Sequence, residues 1–420
     1  MAATMSSTLE ELSRAGRSGI GICLSGGGFR AALFHLGALR RLHELGILQK
    51  ACWISSVSGG SILAGHLATC QIERGRGGKL DFENWQKDVS DPFRAFAARD
   101  LRTWPVIRNC LWNWFAPDPL LRNLEARYRT RLTNLALGDL PELPEFIFCA
   151  TDLTFGVNWE FSRKRVGSYQ AGYLNVSGSS QAAAHMTVAK AITASACIPP
   201  LLGPMRVGIE PKALVGGHFH GPNRDELVSE LSLSDGGLYD NMAIEPVWKH
   251  AATVLVSDCG APFQFEAGKQ PWRTLLRYSS VLSRQTESLR IRMLQTVWSE
   301  TAATRAFDGT RWHIASGVSN KSAALPGAVG YGEDFAKNSV AMIRTDMDAF
   351  SEAEMSVLEN HGYCNADFQL QDKVPELVCN TPSAPIPPYA EWMDEEKAKD
   401  ALRDSGKRFT VTRLLNDLVS

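Results

Sequence analysis

The sequence predicts an α/β protein of three layers, in which helices cover both faces of a mostly parallel central sheet. Two neighbouring strand–turn–helix units between residues 19 and 68 are the main reason for this prediction. Each unit has a short apolar run typical of a buried strand, then a glycine-rich turn, then apolar residues at helical spacing. A third observation is that patterns of buried strands recur at 146–151 and 253–257.

The first unit joins a strand at 20–24 to a helix at 29–45 through a loop of three glycines, Gly26-Gly27-Gly28. Glycines turn the chain without Cβ bulk, and Gly46 ends the helix. The loop places adjacent backbone N–H groups at a helix N-terminus, where they can hold an oxyanion or a phosphate. A nucleotide site is the alternative, but the glycine spacing differs from the dinucleotide fingerprint and no Gly-Lys-Ser/Thr follows.

The second unit, at 52–69, has its tight turn at Ser58-Gly59-Gly60. A nucleophile on a strand–turn–helix elbow needs small residues two positions before and two positions after it, because the two backbones crowd together there. Ser58 has Ser56 and Gly60 at these positions, whereas the neighbouring serines have a large aliphatic residue at one of them. Ser58 is therefore the candidate nucleophile. Ser56 replaces the usual glycine, which the elbow tolerates if its φ stays negative.

Further elements are expected in order along the chain. We expect strands at 146–151, 158–162, 253–257 and 312–316, and helices at 124–137, 186–196, 272–301, 348–362, 390–405 and 411–418. The helix at 348–362 has a capping box, Ser351 with Glu354 three residues later. A tryptophan-rich patch with Trp104, Trp112 and Trp114 is broken by prolines and predicts a cap. The cap either packs on the core or touches a bilayer interface, where Trp is favoured.

A carboxylate is expected at the same sheet edge as Ser58. A short strand pattern ends in Asp235-Gly236-Gly237. The alternative reading of these residues is an Asp-Gly turn that binds its own backbone. Asp258 follows another predicted strand and is a rival carboxylate, while none of the nine histidines lies in a motif that suits a general base.

These motifs together resemble the patatin-like phospholipases. The segment 26–30, Gly-Gly-Gly-Phe-Arg, matches the family's Gly-Gly-Gly-x-Arg loop, and 56–60 matches its Gly-x-Ser-x-Gly elbow with the first glycine replaced. Asp235-Gly236-Gly237 matches the family's later Asp-Gly-Gly, and AITASACIPPL at 191–201 is similar to its small-residue helix. The resemblance covers about 18–262 and implies a patatin-like fold with a helical cap and C-terminal helices.

The resemblance also implies the chemistry. It implies a Ser–Asp dyad in which Asp235 accepts the proton of Ser58, an oxyanion hole at Gly26, Gly27, Gly28 and Gly59, and no metal or cofactor. Arg30 is expected either to orient the loop or to bind substrate through a lipid phosphate. We therefore expect a phospholipase A or lysophospholipase that hydrolyses phospholipids or other acyl-ester lipids.

Two other functions stay open. One is a general carboxylesterase or thioesterase that acts on small acyl substrates. The other is a catalytically weak lipid-binding regulatory protein, which only the replacement at Ser56 favours.

The net charge restricts the class of binding partner. The net charge of −1 over 420 residues argues against nucleic acid as the main partner.

We expect a hydrolytic core at 18–262 with its cap region at 71–145. A helical extension packed on the core should follow at 263–379, and a proline-rich tail with terminal helices at 380–420. The sequence leaves the oligomeric state open.

Cysteine usage and hydropathy indicate the compartment. The nine cysteines are an odd number without metal-ligand spacing, and several lie in apolar runs, which is typical of buried thiols in a reducing compartment. No Sec signal and no apolar run of about 18 residues are found. We therefore expect a cytoplasmic protein, and secretion by a signal-independent route stays open. The expected lipid substrate adds peripheral contact with a membrane.

Overall fold

A computed structural model describes residues 16–74, 79–99, 117–176, 183, 185–198, 202–260, 271–301, 304–318, 325, 327–378, 384–403 and 405. Ten strands in these ranges form one central sheet. The strands are β1 Ser18–Leu24, β2 Ala51–Val57, β3 Glu145–Asp152, β4 Val157–Phe161, β5 Arg165–Ser168, β6 Gly172–Asn175, β7 Met205–Arg206, β8 Ser232–Asp235, β9 Ala251–Asp258 and β10 Asp308–His313.

The sheet has a parallel half and an antiparallel half. β10, β9, β1, β2 and β3 form a continuous parallel row. β4, β5 and β6 extend it as antiparallel neighbours beyond β3. β2 and β8 share one side of β3: β2 pairs with its first residues, and β8 pairs antiparallel with its last three. β7 then pairs with β8. The parallel strands therefore all end at one edge, which is where open α/β sheets place their sites.

Helices cover both faces of the sheet. The main helices are α1 Gly28–Glu44, α2 Gly59–Glu73, α3 Asp91–Ala97, α4 Pro117–Arg131, α5 Val188–Ser195, α6 Arg224–Ser229, α7 Gly237–Asp240, α8 Pro271–Ser299, α9 Glu352–Lys373 and α10 Glu395–Leu402. Successive residues of β1 face opposite sides: Ile22 lies in the core with α1, α2 and α9, whereas Cys23 lies in a second core with the end of α8. The predicted three-layer fold class is confirmed.

Several elements differ from their expected bounds. The helix expected at 124–137 runs instead from Pro117 to Arg131, as α4. The helix expected to end at Gly362 continues to Lys373 as α9. A Cβ at Gly362 would lie 1.8 Å from the Phe34 carbonyl oxygen of α1, so this glycine serves close helix packing instead of ending the helix. The strand expected at 312–316 begins earlier, at Asp308, and adds a strand to the sheet from the region 263–379.

Some expectations fall outside the described residues. These are the tryptophan-rich patch with Trp104, Trp112 and Trp114 and the last helix at 411–418. Of the helices that the structure describes, none combines the length and the hydropathy needed to cross a bilayer. The boundaries of the three expected regions stay a prediction.

Candidate active site

β2 and β8 lie end to end beside β3. Val57 pairs with Cys149, and Asp235 pairs with the next residue of β3, Ala150. Because β8 runs antiparallel to β3, the C-terminal ends of β2 and β8 point toward each other. Ser58 follows Val57 directly, so the register of the sheet brings Ser58 and Asp235 to the same point of its carboxyl edge.

Ser58 forms the turn between β2 and α2 in a strained backbone conformation. Its φ is 52° and its ψ is −113°. Among the non-glycine residues that the structure describes, only Ala243 also has a positive φ. Such strain at a strand–helix turn is typical of a nucleophile elbow. A Cβ at Gly60 would lie 2.4 Å from the Leu24 carbonyl oxygen, so this position of the elbow needs glycine.

The serine that replaces the first elbow glycine fits its position. Ser56 is not among the residues with positive φ. Its hydroxyl donates to the Ile147 carbonyl oxygen at 3.2 Å and accepts from Ser61 Oγ at 3.0 Å. The departure from the usual elbow therefore leaves neither backbone strain nor an unsatisfied hydroxyl at Ser56.

Ser195 supports the elbow, although no motif in the sequence identifies it. Its Oγ accepts the Ser58 N–H at 2.9 Å and donates to the Cys149 carbonyl oxygen at 2.6 Å. Ser195 reaches the elbow because α5 and α2 pack closely. A Cβ at Gly65 of α2 would lie 2.6 Å from Ile192 Cδ1 of α5. The small residues of α5 allow this close packing, and the hydroxyl at the end of α5 is the only signal of it in the sequence.

Asp235 has one engaged oxygen and one open oxygen. The residue is 6% exposed, and its Oδ1 accepts the Gly237 N–H at 2.7 Å. Its Oδ2 has no hydrogen-bond partner of normal geometry among the described residues. Burial raises the pKa of Asp235 to about 6, while the Gly237 N–H and the Ser58 hydroxyl act in the opposite direction. The Ser58 hydroxyl thus lies near the carboxyl without a tight hydrogen bond, as catalytic pairs often do before substrate binds.

The rival acid is paired with an arginine, and no histidine is bonded to Ser58 or Asp235 in the described part of the chain. Although burial acts to raise it, the Arg311 guanidinium, 2.7 Å away, holds the pKa of Asp258 at about 2. In the hydrogen bonds that the structure describes, no histidine contacts Ser58 or Asp235. The same ranges contain no group of three His, Cys, Asp or Glu side chains placed to hold a metal.

The glycine loop lies against the elbow. Gly27 and Gly28 have φ values of 136° and 58°, in the region that favours glycine. A Cβ at Gly28 would lie 1.9 Å from the Thr345 carbonyl oxygen, and one at Gly59 would lie 2.1 Å from the Gly28 carbonyl oxygen. The N–H groups of Gly27, Gly28 and Gly59 have no acceptor within the described part of the chain. They stand at the N-termini of α1 and α2, where helix N–H groups lack internal partners.

Gly26 differs from the other three glycines. Its N–H donates to the Asn241 carbonyl oxygen at 3.0 Å, so the expectation that Gly26 offers a free oxyanion donor is wrong. A Cβ at Gly26 would lie 2.5 Å from Asn241 Oδ1 and 3.2 Å from Ser58 Cβ. A Cβ at Gly237 would lie 2.8 Å from the same Asn241 oxygen. Asn241, which no sequence motif identifies, therefore joins the glycine loop to the Asp235 turn.

Arg30 supports the loop from inside the protein. It is 2% exposed, and its guanidinium donates to three backbone carbonyls at 2.8–3.0 Å, those of Ala341, Ile343 and Cys259. Its position contradicts the expectation that Arg30 binds substrate, because a buried guanidinium with these partners is not presented to a ligand. The other expectation for Arg30, that it orients the loop, agrees with these contacts.

Comparison with known proteins gives one family. A family model described as patatin-like phospholipase matches residues 22–248. No curated protein matches the chain. Among solved structures, human GIVD cytosolic phospholipase A2 is 14% identical with a TM-score of 0.45, over 95% of this chain and 61% of that one. VipD from Legionella pneumophila is 13% identical with a TM-score of 0.33, over 84% of this chain and 66% of that one.

The two solved structures are distant, and the chain spans 61% and 66% of their lengths. Likenesses this distant do not indicate the activity of this protein. The family model is different, because its match over 22–248 covers more than half of the chain. The glycine loop, the elbow and the Asp-Gly-Gly turn all lie inside that match. The chain belongs to the patatin-like phospholipase family.

Proposed function

We propose that this protein is a serine acyl hydrolase that cleaves carboxylic esters of membrane lipids, of the phospholipase A or lysophospholipase type. The observation that carries the proposal is the end-to-end meeting of β2 and β8, which brings the strained Ser58 to the buried Asp235. Membership of a phospholipase family supports a lipid substrate and peripheral contact with a bilayer.

The first half-reaction forms an acyl-enzyme. Asp235 Oδ2 takes the proton of Ser58 Oγ while Oγ attacks the carbonyl carbon of the ester. The negative charge that develops on the carbonyl oxygen is held by the open N–H groups of Gly27, Gly28 and Gly59, which the dipoles of α1 and α2 assist. The tetrahedral intermediate then breaks its bond to the leaving alcohol, and the protonated Asp235 returns its proton to that oxygen. The acyl group stays on Ser58.

The second half-reaction releases the acid. Asp235 takes a proton from a water molecule, whose oxygen attacks the acyl carbon in the same oxyanion hole. The bond from that carbon to Ser58 Oγ breaks, and the proton held by Asp235 returns to Oγ. One water is consumed, and one carboxylic acid and one alcohol are formed, so protons and atoms balance over the cycle.

The environment of Asp235 suits this role. A base is most effective when its pKa lies near the working pH and its protonation state is still correct. Burial raises the pKa of Asp235 to about 6, against 3.8 for an ordinary aspartate. The carboxylate is therefore a stronger base than an exposed one and is still mostly ionised at neutral pH. The fit of Ser56 in the elbow supports an active site, not a damaged one.

Product analysis on three substrates tests the proposal. Wild type, Ser58→Ala and the matched control Ser55→Ala, a buried serine on the same strand, are incubated with phospholipid vesicles, a lysophospholipid and a short-chain p-nitrophenyl ester. We expect free fatty acid from the lipids with wild type and Ser55→Ala, and none with Ser58→Ala. Turnover of the short ester alone would favour the general esterase. Vesicle binding without turnover of any substrate would favour the regulatory protein and refute the proposal.

A further inference from the structure

A buried chain of hydrogen bonds leads to the residue before the glycine loop. Trp312 Nε1 donates to Ser257 Oγ at 2.8 Å, and Ser257 Oγ lies 2.6 Å from His35 Nδ1. His35 Nε2 lies 2.9 Å from the Ser25 carbonyl oxygen. All four residues are at most 1% exposed. The chain therefore runs through the core, from β10 across β9 and α1 to the end of β1.

The chemistry of the partners fixes the direction of each hydrogen bond. A carbonyl oxygen can only accept, so His35 Nε2 carries the hydrogen that Ser25 receives. Burial lowers the pKa of His35 to about 4, so the imidazole is neutral near pH 7 and its Nδ1 is an acceptor. Ser257 then donates to Nδ1, and its own oxygen receives the Trp312 N–H. Every link points toward Ser25, and the imidazole is held in a single tautomer.

Ser25 joins the glycine loop to the rest of the site. Its carbonyl oxygen accepts from His35 and also from the Gly60 N–H of the elbow, at 3.2 Å. Its N–H donates to the Ser257 carbonyl oxygen at 3.1 Å, and its Oγ accepts the Cys259 N–H at 2.7 Å. A shift of the Ser25 carbonyl would therefore move the glycine loop relative to Ser58.

We propose that His35 is a positioning residue that sets the oxyanion loop relative to Ser58 through its bond to the Ser25 carbonyl. His35 contacts neither the dyad nor the substrate, so it acts only through Ser25. The competing view is an ordinary core histidine whose bonds are satisfied and whose loss only loosens the fold. Activity follows loop geometry in the first case and global stability in the second.

Two amide variants separate these views. Glutamine can place an amide N–H near the former Nε2 position and donate to Ser25, whereas asparagine reaches only the former Nδ1 position beside Ser257. On a short-chain p-nitrophenyl ester, we expect His35→Asn to lower kcat by roughly 10-fold to 100-fold, since small misplacements cost rates of this order. KM should change by less than about twofold, and His35→Gln should recover most of kcat. Equal kcat for both variants, or losses that follow their melting temperatures, would overturn the proposal.

A second pair of variants keeps the test valid if the His35 variants fold poorly. Ser257→Ala removes the donor that fixes the imidazole tautomer. Ser356→Ala is the control, because it removes a buried hydroxyl on α9 that takes no part in the hydrogen bonds from Trp312 to Ser25. Only Ser257→Ala should lower kcat, and equal kcat in the two would contradict the inference.

The inference rests on the proposed hydrolysis, and fluorophosphonate labelling of Ser58 separates the two claims. Absence of label in wild type would refute the proposed function. Labelling of wild type and His35→Asn at equal rates would refute only the positioning role.

Discussion

At neutral pH the buried, ionised Asp235 should lower the free energy of unfolding. Asp235→Asn should therefore gain stability relative to wild type as pH rises. The ordinary pKa of this carboxyl is 3.8, and burial raises it to about 6 in the folded state. The folded protein therefore binds the proton more tightly than the unfolded chain does. Between pH 3.8 and about 6 folding takes up a proton, so the contribution of this group to stability falls as pH rises and stays low above pH 6.

The size of the effect follows from the two pKa values. A rise from 3.8 to about 6 corresponds to roughly 3 kcal/mol in the free energy of unfolding, at about 1.4 kcal/mol for each pKa unit. Roughly 2 kcal/mol of this appears between about pH 4.5 and about pH 8. Asparagine does not ionise and keeps an oxygen to accept the Gly237 N–H. The stability of Asp235→Asn relative to wild type should therefore increase by about 2 kcal/mol over this range.

Urea unfolding followed by circular dichroism at the two pH values measures the effect. Asp258→Asn is the matched control, because the pKa of Asp258 is held at about 2 and this carboxyl stays ionised throughout the range. The stability difference between Asp258→Asn and wild type should therefore not change with pH. A pH-independent difference for Asp235→Asn as well would refute the reasoning, since Asp235 would then ionise as an exposed aspartate does. The rate of hydrolysis by Asp235→Asn should fall by roughly 10²-fold to 10⁴-fold.

Three further predictions concern the loop, the metal and the cap. Gly28→Ala should lower kcat more than about tenfold, because its Cβ would lie 1.9 Å from the Thr345 carbonyl oxygen, whereas Gly46→Ala, with a similar φ of 70° and open space, should leave kcat unchanged. EDTA should not alter the hydrolysis rate, and a loss that added metal restores would contradict the proposed cycle. Joint replacement of Trp112 and Trp114 with Ala should lower turnover on vesicles several-fold and spare a short-chain ester in parallel assays; equal loss on both substrates would mean that these residues are ordinary core.

Local steric arguments predicted the elbow, because they depend only on residues close in sequence. Ser58 follows from the size of the residues two positions away, and Gly46 from its place after a helical pattern. Gly362 shows the limit of that argument, since the close contact with α1 that it permits depends on the packing of two distant segments. β10 begins earlier than expected because its first residues mix polar and small side chains, which obscures the strand pattern.

Contacts between distant segments could not be predicted. The proposed pairing of Asp235 with Ser58 was expected from the family resemblance, not from spacing. Ser195 and Ser58 are 137 residues apart, and only the packing of α5 against α2 brings them into contact. Arg30 looked available to a phosphate because its carbonyl partners at Ala341 and Ile343 lie more than 300 residues away. The same reason explains why the Gly26 N–H was expected to be free.

Reaction of the purified protein with a fluorophosphonate, followed by peptide mass analysis, identifies the serine that forms the acyl-enzyme. The reagent mimics the ester and bonds covalently to a serine that a base has activated. We expect one labelled peptide with the modification on Ser58, much slower labelling of Asp235→Asn, and loss of lipid hydrolysis in proportion to labelling. Label on another serine, or full hydrolytic activity in protein labelled to completion, would contradict an acyl-enzyme on Ser58.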